Sequence, residues 1–246
     1  FVTNFFDSLV AFFYYGSSPY WDFSNINIAD LDGDNLQDVL IGGYASNRLW
    51  FYHNQGTSTQ PLFYPPADTL RDTNDNLINS EYVALVDIDA DGDLDLFAGH
   101  YDGHLKYYQN VGSSISFSFQ LINSNWFNTF VSSGYTDPCF GDLDEDGDLD
   151  LLLGTGAGTI SYYRNDGTPT TPQMTLVSSN YLGLDVGVSA SPELADIDGD
   201  GDLDLFVGRS SSEDQNPTQG DVYFYRNDGT SHNPNFTFVT TNYLTW

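Results

Sequence analysis

An acidic stretch of nine residues occurs four times in this chain, and its spacing constrains the fold more than any other feature. The copies read DLDGDNLQD, DIDADGDLD, DLDEDGDLD and DIDGDGDLD, and they start at Asp30, Asp87, Asp142 and Asp196. Their first aspartates lie 57, 55 and 54 residues apart. A period of this size is typical of repeat architectures, in which each repeat is one supersecondary unit that stacks on its neighbours. The sequence therefore predicts one repeat domain over residues 1–246.

The acidic stretch has the chemistry of a calcium-binding loop. Positions 1, 3, 5 and 9 are aspartate in every copy, and Ca²⁺ takes about six to eight oxygen ligands. Position 6 is glycine or asparagine, which most readily adopt positive φ. Position 7 is Leu36 in the first copy and aspartate elsewhere, which indicates binding through the backbone carbonyl. We expect about four Ca²⁺ ions, with these candidate ligands: Asp30, Asp32, Asp34, Leu36, Asp38, Asp87, Asp89, Asp91, Asp93, Asp95, Asp142, Asp144, Asp146, Asp148, Asp150, Asp196, Asp198, Asp200, Asp202 and Asp204.

The continuation of each stretch distinguishes it from an EF-hand, which needs a bidentate Glu at position 12 and flanking helices. Position 12 is apolar in all four copies: Ile41, Ala98, Leu153 and Val207. Each of these residues lies in a short apolar run that ends in glycine, which is typical of a buried strand.

Two other interpretations of the stretch compete with calcium. A solvated acidic loop would have to tolerate four carboxylates within nine residues, whose mutual repulsion disfavours a compact fold without a cation. Magnesium suits the stretch less, because it prefers fewer protein ligands and retains water.

An aromatic segment that ends in Asn-x-Gly follows each apolar run, at residues 50–56, 107–112, 162–167 and 224–229. Asn-x-Gly is a tight-turn signal. The acidic loop, the apolar strand ending in Gly and this aromatic strand together resemble the FG-GAP/VCBS repeats of integrin-α-like β-propellers and some fungal lectins. The resemblance implies an all-β, β-propeller-like array of four four-stranded blades, with a calcium loop between the first two strands of each. Such propellers usually have more blades than the four repeats counted here.

Each repeat is predicted as strand A, acidic loop, strand B, strand C, turn and strand D. Residues 1–4 resemble strand D, so residues 1–15 form a surplus N-terminal strand segment. We expect this segment to pack against a neighbouring subunit, since an unpaired strand edge favours pairing with another chain. The competing interpretations are that it caps its own propeller or that the chain was cut from a longer array. The expected repeat cores are about 20–64, 80–122, 136–180 and 190–243.

Three segments lie outside this pattern. The polar insertion 210–220 follows the fourth apolar run and is a candidate binding element or simple loop variation. The polar segment 65–81 is predicted to be an exposed connector. His100 and His104 are a candidate transition-metal pair, but no third ligand lies near them in sequence.

The charge of the chain excludes some partners. It has 35 acidic residues and 6 basic ones, a formal net charge of −29, so neither nucleic acid nor an anionic membrane is an expected partner. The apolar stretch Leu9–Tyr15 is too short to span a membrane, and no membrane insertion is predicted. The single cysteine, Cys139, is expected to be a buried apolar residue. The demand for calcium favours an extracellular or cell-surface location.

No catalytic residue is predicted. The sequence shows no nucleophile–base arrangement, and the aspartates recur in all four copies, whereas catalysis normally needs one asymmetric site. We therefore expect a non-enzymatic structural, assembly or adhesion module, with a filament subunit among the options, that associates with itself, another protein or a glycan. The alternative is a carbohydrate-binding lectin that uses exposed aromatics such as Trp21, Trp50 and Trp126. A calcium-assisted hydrolase is the least favoured interpretation.

Overall fold

The computed structural model describes residues 24–43, 48–64, 68–113, 115–209 and 221–241. These residues form four four-stranded antiparallel sheets arranged as a β-propeller, which confirms the predicted all-β fold. Strands β1–β4 form blade 1, β5–β8 blade 2, β9–β12 blade 3 and β13–β16 blade 4. The strands are Ser24–Ala29 (β1), Asp38–Gly43 (β2), Arg48–Tyr52 (β3), Asp68–Thr69 (β4), Tyr82–Val86 (β5), Asp95–Gly99 (β6), Leu105–Asn110 (β7), Phe119–Asn123 (β8), Asp137–Gly141 (β9), Asp150–Gly154 (β10), Ile160–Asn165 (β11), Met174–Ser178 (β12), Ala190–Ala195 (β13), Asp204–Arg209 (β14), Val222–Asn227 (β15) and Phe236–Thr240 (β16).

Within each blade the strands pair in chain order, and the acidic loop connects the first strand to the second. In blade 1, for example, Ala29 pairs with Asp38 directly at the loop. The second strand is flanked on both sides, and every residue of β2, β6 and β10 is buried. This position explains why the second strand is a continuous apolar run rather than an alternating one.

The Asn-x-Gly turns form as predicted. The Asn54 side-chain oxygen accepts hydrogen bonds from the backbone N–H groups of Gly56 and Leu62, both at 3.0 Å. Asn110, Asn165 and Asn227 make the same pair of bonds in the other blades. One buried amide thus closes the turn between the third strand and the segment that leads to the fourth.

The outer strands of blades 2, 3 and 4 each carry a β-bulge. The register shifts between Tyr107 and Tyr108, which pair with Asn123 and Leu121, so that Ile122 is left outside the ladder. Val177 and Val239 occupy the same place in blades 3 and 4. These three side chains are 51%, 52% and 48% exposed.

The prediction that residues 65–81 form an exposed connector was wrong for the part that the structure describes. Leu70 and Ile78 are only 5% and 1% exposed and belong to the core between blades 1 and 2. The Leu70 N–H donates to the Leu49 carbonyl at 3.0 Å, and the Leu49 N–H donates to the Ile78 carbonyl at 3.3 Å. Two apolar anchors therefore hold an otherwise polar segment, and the fourth strand of blade 1 lies here, beyond residue 64.

Neighbouring blades pack through their first strands, β1 against β5, β5 against β9 and β9 against β13. One hydrophobic core lies at each of these three interfaces. Trp126, expected as a candidate exposed aromatic, is instead only 4% exposed and lies in the core between blades 2 and 3, with its ring centroid 4.6 Å from that of Phe97. Cys139 is buried in the core between blades 3 and 4, as predicted.

The glycine that ends the second strand is needed for close approach of the next blade. A Cβ on Gly42 would overlap the Glu81 carbonyl oxygen, and one on Gly154 would overlap that of Ala190. Gly99 faces the Thr136 carbonyl in the same way. In blades 1 to 3 the glycine therefore forms a slot for a backbone carbonyl of the following blade.

A buried carboxyl group lies between blades 3 and 4 and predicts a pH dependence of stability. Asp137 is 3% exposed and accepts a hydrogen bond from the Ser191 hydroxyl at 2.6 Å. Burial, with a smaller contribution from the Glu193 carboxylate, raises the pKa of Asp137 to about 7. The ordinary value is about 3.9, so between about pH 4 and 7 the folded state binds more protons than the unfolded state, and stability falls as pH rises.

Asp137→Asn is therefore expected to stabilise the protein more at pH 8 than at pH 5, by about 2 kcal/mol in the free energy of unfolding. Urea denaturation at both pH values, at constant calcium concentration, measures this difference. An equal effect of the substitution at the two pH values would show that Asp137 does not titrate in this range.

Candidate metal centres

The structure gathers three carboxylates in every acidic loop. The carboxylates at positions 1, 3 and 5 each offer an oxygen within 4.8 Å of the others. Position 6 has positive φ in all four copies, between 65° and 95°, as its glycine or asparagine predicted. The four groups are Asp30, Asp32 and Asp34; Asp87, Asp89 and Asp91; Asp142, Asp144 and Asp146; and Asp196, Asp198 and Asp200.

The first aspartate also shapes the loop. One Asp30 oxygen accepts from the N–H of Gly33 at 2.7 Å and the other from that of Asn35 at 2.9 Å. In every copy, the first aspartate accepts a bond from the N–H of position 6. These bonds turn the backbone around the carboxylate and bring positions 3 and 5 towards it.

Position 9 behaves differently from positions 1, 3 and 5. Asp150 is 1% exposed, and its carboxylate accepts bonds from the Asn165 N–H at 2.8 Å, the Tyr162 hydroxyl at 3.0 Å and the Leu143 N–H at 3.3 Å. The N–H of the turn asparagine donates to this aspartate in all four blades: Asp38, Asp95, Asp150 and Asp204. Position 9 therefore ties the acidic loop to the third strand.

Among the described residues, only one position-9 carboxylate falls within a candidate metal group. This is Asp38, which groups with Asp32 and His53. Burial raises the pKa of Asp95 to about 7 and that of Asp150 to about 6. A cation nearby would favour the charged form of these buried groups.

Carboxylate oxygens at positions 3 and 7 test whether a cation fits. One oxygen of Asp89 and one of Asp144, both at position 3, are buried without a hydrogen-bond partner, and so is one oxygen each of Asp148 and Asp202 at position 7. Burial, together with repulsion from Asp146, raises the pKa of Asp148 to about 7. A buried carboxylate oxygen without a donor is costly, and a divalent cation would offset that cost. The residues present therefore fit a bound cation with oxygen ligands.

In blades 1 and 2, a residue that the sequence analysis missed lies beside position 3. The His53 Nδ1 atom is 2.7 Å from an Asp32 oxygen, and the Gln109 amide donates to Asp89 at 2.8 Å. Arg164 and Arg226 hold the same place in the sequence of blades 3 and 4, but they pair with Asp166 and Asp228, each at 2.6 Å. The sequence could have indicated this position, because all four residues directly precede the repeated turn asparagine. The arginines carry positive charge near Asp144 and Asp198, but their pairing with the turn aspartates offsets it, so we expect only a weak effect on cation binding there.

Among the described residues, the other candidates from the sequence form no group of metal ligands comparable with the aspartate groups. His100 Nδ1 and His104 Nδ1 each lie 3.1 Å from one Asp102 oxygen, but the three form no group as close as the aspartate groups in the described chain. Residues 1–15, Trp21 and the insertion 210–220 lie outside the described residues. Within the described ranges, no helix has the length and apolar character needed to cross a membrane.

The loop geometry predicts that positions 5 and 7 differ in importance. Asp200→Ala removes one of the three gathered carboxylates and is expected to lower calcium affinity at its site by about tenfold or more. Asp202→Ala is expected to be milder, because Leu36 holds position 7 in blade 1. Isothermal titration with Ca²⁺ measures both, with Asp91→Ala and Asp93→Ala as the matched pair in blade 2. Equal losses would mean that the position-7 carboxylate is itself a ligand.

Comparison with protein-family models identifies the family of this chain. Among curated proteins, none matches the chain significantly. The solved structure titled as the basis of specific recognition of non-reducing terminal N-acetylglucosamine by an Agrocybe aegerita lectin is similar with a TM-score of 0.49 and 17% identity. That similarity covers 90% of this chain and 54% of the lectin chain, so the chain spans about half the length of that structure.

The model of the family described as FG-GAP-like repeat matches residues 30–98, 87–153 and 142–207. Because these matches follow the repeat period and cover more than half of the chain, the protein belongs to the FG-GAP-like repeat family.

Proposed function

We propose that this protein is a calcium-stabilised, non-enzymatic β-propeller module with a structural, assembly or adhesion role. The observation that carries the proposal is the fourfold acidic loop, in which three carboxylates gather in every blade. The buried oxygens without donors at position 3, in Asp89 and Asp144, support a cation at the same place. Repetition of one site in all four blades favours a stabilising role over catalysis at a single centre.

The proposed ligands are positions 1, 3, 5, 7 and 9 of each loop, with position 7 binding through its carbonyl. The gathered carboxylates at positions 1, 3 and 5 are the central part of this set, and position 9 also orients the loop from the third strand. Bound Ca²⁺ would supply charge neutralisation and a cross-link within the loop. The chain's own residues supply the preformed turn, since position 1 already accepts the N–H groups that shape it.

We propose an extracellular or cell-surface location. The candidate sites are surface loops whose acidic side chains are half-buried or exposed, and extracellular modules commonly bind Ca²⁺ with dissociation constants of about 10⁻⁴–10⁻³ M. The formal charge of −29 gives such a surface a strong attraction for divalent cations.

Self-association in calcium tests the assembly role. Sedimentation velocity at several protein concentrations, in millimolar Ca²⁺ and in EDTA, is expected to show species larger than the 27.3 kDa chain in calcium. A variant without residues 1–15 tests whether that segment contributes. If the intact protein stays monomeric at high concentration with calcium, the assembly role fails, whereas calcium stabilisation is judged separately by the melting temperature.

Carbohydrate binding is the second candidate function, and one pocket favours it. A cavity of about 450 Å³ between blades 1 and 2 is lined by Phe51, Phe117 and the polar side chains of Asp32, His53 and Gln55. Aromatic and polar groups around an open pocket suit a sugar ring. A glycan array with the intact protein and Gln55→Ala tests this function, and the absence of any signal on the array contradicts it.

A further inference from the structure

The face of blade 4 that points away from blade 3 keeps features that the other blades use to bind a neighbour. We use trailing face for the side of a blade turned towards the next blade in the chain, and leading face for the opposite side. Position 2 of the acidic loop lies on the trailing face. Leu31, Ile88 and Leu143 are 4%, 2% and 3% exposed there, each within a core shared with the next blade. Ile197, their counterpart in blade 4, is 50% exposed.

The glycine slot is also open on blade 4. Gly42, Gly99 and Gly154 each face a carbonyl of the following blade so closely that a Cβ would overlap it. A Cβ on Gly208 would instead meet only Ser191 of its own blade, at 3.5 Å from Cβ and 3.7 Å from the carbonyl oxygen. In the described part of the chain, the blade 4 slot therefore has no carbonyl in it.

A residue on the third strand of each blade, on the same trailing face, shows the same difference in exposure. Leu49, Leu105 and Ile160, on the third strands of blades 1 to 3, are all 0% exposed. Their counterpart Val222 is only half-buried. Three features of the trailing face are therefore more exposed in blade 4 than in blades 1 to 3: position 2 of the loop, the glycine slot and the third-strand residue. This is expected if blade 4 lacks the neighbour that blades 1 to 3 have.

The leading face of blade 1 shows the complementary exposure. Ile26 and Ile28 are 41% and 47% exposed, whereas Val83, the counterpart of Ile26 in blade 2, is 2% exposed against blade 1. Asn27 lies on the other side of β1 and donates to the Val83 carbonyl at 2.8 Å. Among the described strands, β13 and β1 do not form the interface that joins the other neighbouring first strands.

We propose that the trailing face of blade 4 docks on the leading face of blade 1 of a second copy of this chain. The contact continues the series of three internal interfaces, which use the same two repeat faces. Glu81, Thr136 and Ala190, whose carbonyls fill the internal slots, each precede the first loop aspartate by six residues, and Ser24 holds that place in blade 1. The Ser24 carbonyl of the second copy would therefore enter the Gly208 slot. This inference rests on the self-association proposed above and specifies its surfaces.

A contact between two different faces has a defined outcome for assembly. It closes into a ring if the rotation permits, and otherwise it continues as an open filament. Two copies would supply eight blades, within the range of about four to eight found in propellers. Repulsion between chains of charge −29 opposes the contact, so calcium and salt are expected to favour it.

Size-exclusion chromatography with light scattering, in millimolar Ca²⁺, tests the contact with three variants. Gly208→Ala places one methyl group in the slot, and within its own chain that methyl meets only an ordinary van der Waals contact. Ile26→Asp places a charge on the leading face. Ile122→Asp is the control, because it makes the same change at a side chain that is 51% exposed on an outer strand. We expect at least twice the 27.3 kDa mass for the wild type and for the control, and a mass of 27.3 kDa for the two face variants. Because loss of the contact by itself lowers apparent stability, folding of the variants is checked by circular dichroism, whose spectrum should match that of the wild type.

Mixing the two face variants tests the head-to-tail geometry. Gly208→Ala keeps an intact leading face and Ile26→Asp an intact trailing face, so the mixture is expected to form a species of two chains through one contact. If the mixture stays monomeric, the pairing of these two faces is wrong. If both face variants assemble like the wild type, the proposed contact is wrong but self-association stands. If the wild type is monomeric at every concentration in calcium, both the proposed contact and self-association are wrong. Stabilisation by calcium is judged separately, by the melting temperature.

Discussion

Excess EDTA is expected to lower the melting temperature of this protein sharply, because its loops hold carboxylates that repel one another without a cation. A site whose dissociation constant is about a hundredth of the free Ca²⁺ concentration adds about 2.7 kcal/mol to stability. Four independent sites would add about 11 kcal/mol, comparable with the whole stability of a typical domain, about 5–15 kcal/mol. Differential scanning calorimetry in Ca²⁺ and in EDTA measures the shift.

Readdition of metal provides the control for this prediction. Ca²⁺ added back in excess of EDTA should restore the melting temperature, and Mg²⁺ should restore less of it, because Mg²⁺ prefers fewer protein ligands. An unchanged melting curve in EDTA would exclude calcium as a stabilising cofactor of the fold.

Asp150→Ala is expected to be among the most destabilising single substitutions in the chain. It removes the acceptor of three donors, namely the Asn165 and Leu143 N–H groups and the Tyr162 hydroxyl, at a position that is 1% exposed. Each buried donor left without an acceptor costs about 1–3 kcal/mol. We expect a loss of about 3–5 kcal/mol in the free energy of unfolding, measured by urea denaturation in calcium.

The same measurement in EDTA separates the structural role of Asp150 from metal binding. If position 9 ties the loop to the third strand, the loss persists without calcium. Glu145→Gln, in the same loop but exposed, is the control, because it can keep the hydrogen bond from the Ser231 hydroxyl, and it is expected to change stability by less than about 0.5 kcal/mol. A loss that disappears in EDTA would mean that Asp150 acts only through a bound cation.

The fold could be predicted from sequence because its strongest signals are local and repeated. The acidic loop, the apolar run ending in glycine and the Asn-x-Gly turn each appear four times at a fixed spacing, so chance matches are rare. The fourth strand of blade 1 was wrongly placed within residues 20–64, since Leu70 and Ile78 are isolated apolar residues in a polar segment. Their burial depends on contacts with Leu49 in another strand, which no local pattern reports.

The candidate site was predicted in part. Positions 1, 3 and 5 converge as the alternation of aspartates indicated, but position 9 is identical to them in sequence and lies in a different environment. Its distinct role depends on the N–H groups of Asn165 and its counterparts, which approach only when the third strand folds back on the second. The partner of position 3, His53 in blade 1, also comes from that strand. The role of position 9 and the partner of position 3 therefore depend on contacts between segments that are distant in sequence, which the loop sequence alone does not indicate.

The bulges on the outer strands also bear on how such a molecule resists amyloid-like growth. At Ile122, Val177 and Val239 the outer edge of a blade loses the regular alternation of donors and acceptors, and the strand twists more strongly. A flat strand of another molecule could keep its hydrogen bonds in register with such an edge for only a few residues, so sheet extension at these edges is disfavoured. The propeller can thus expose β-branched side chains along its rim without offering a template for fibrils.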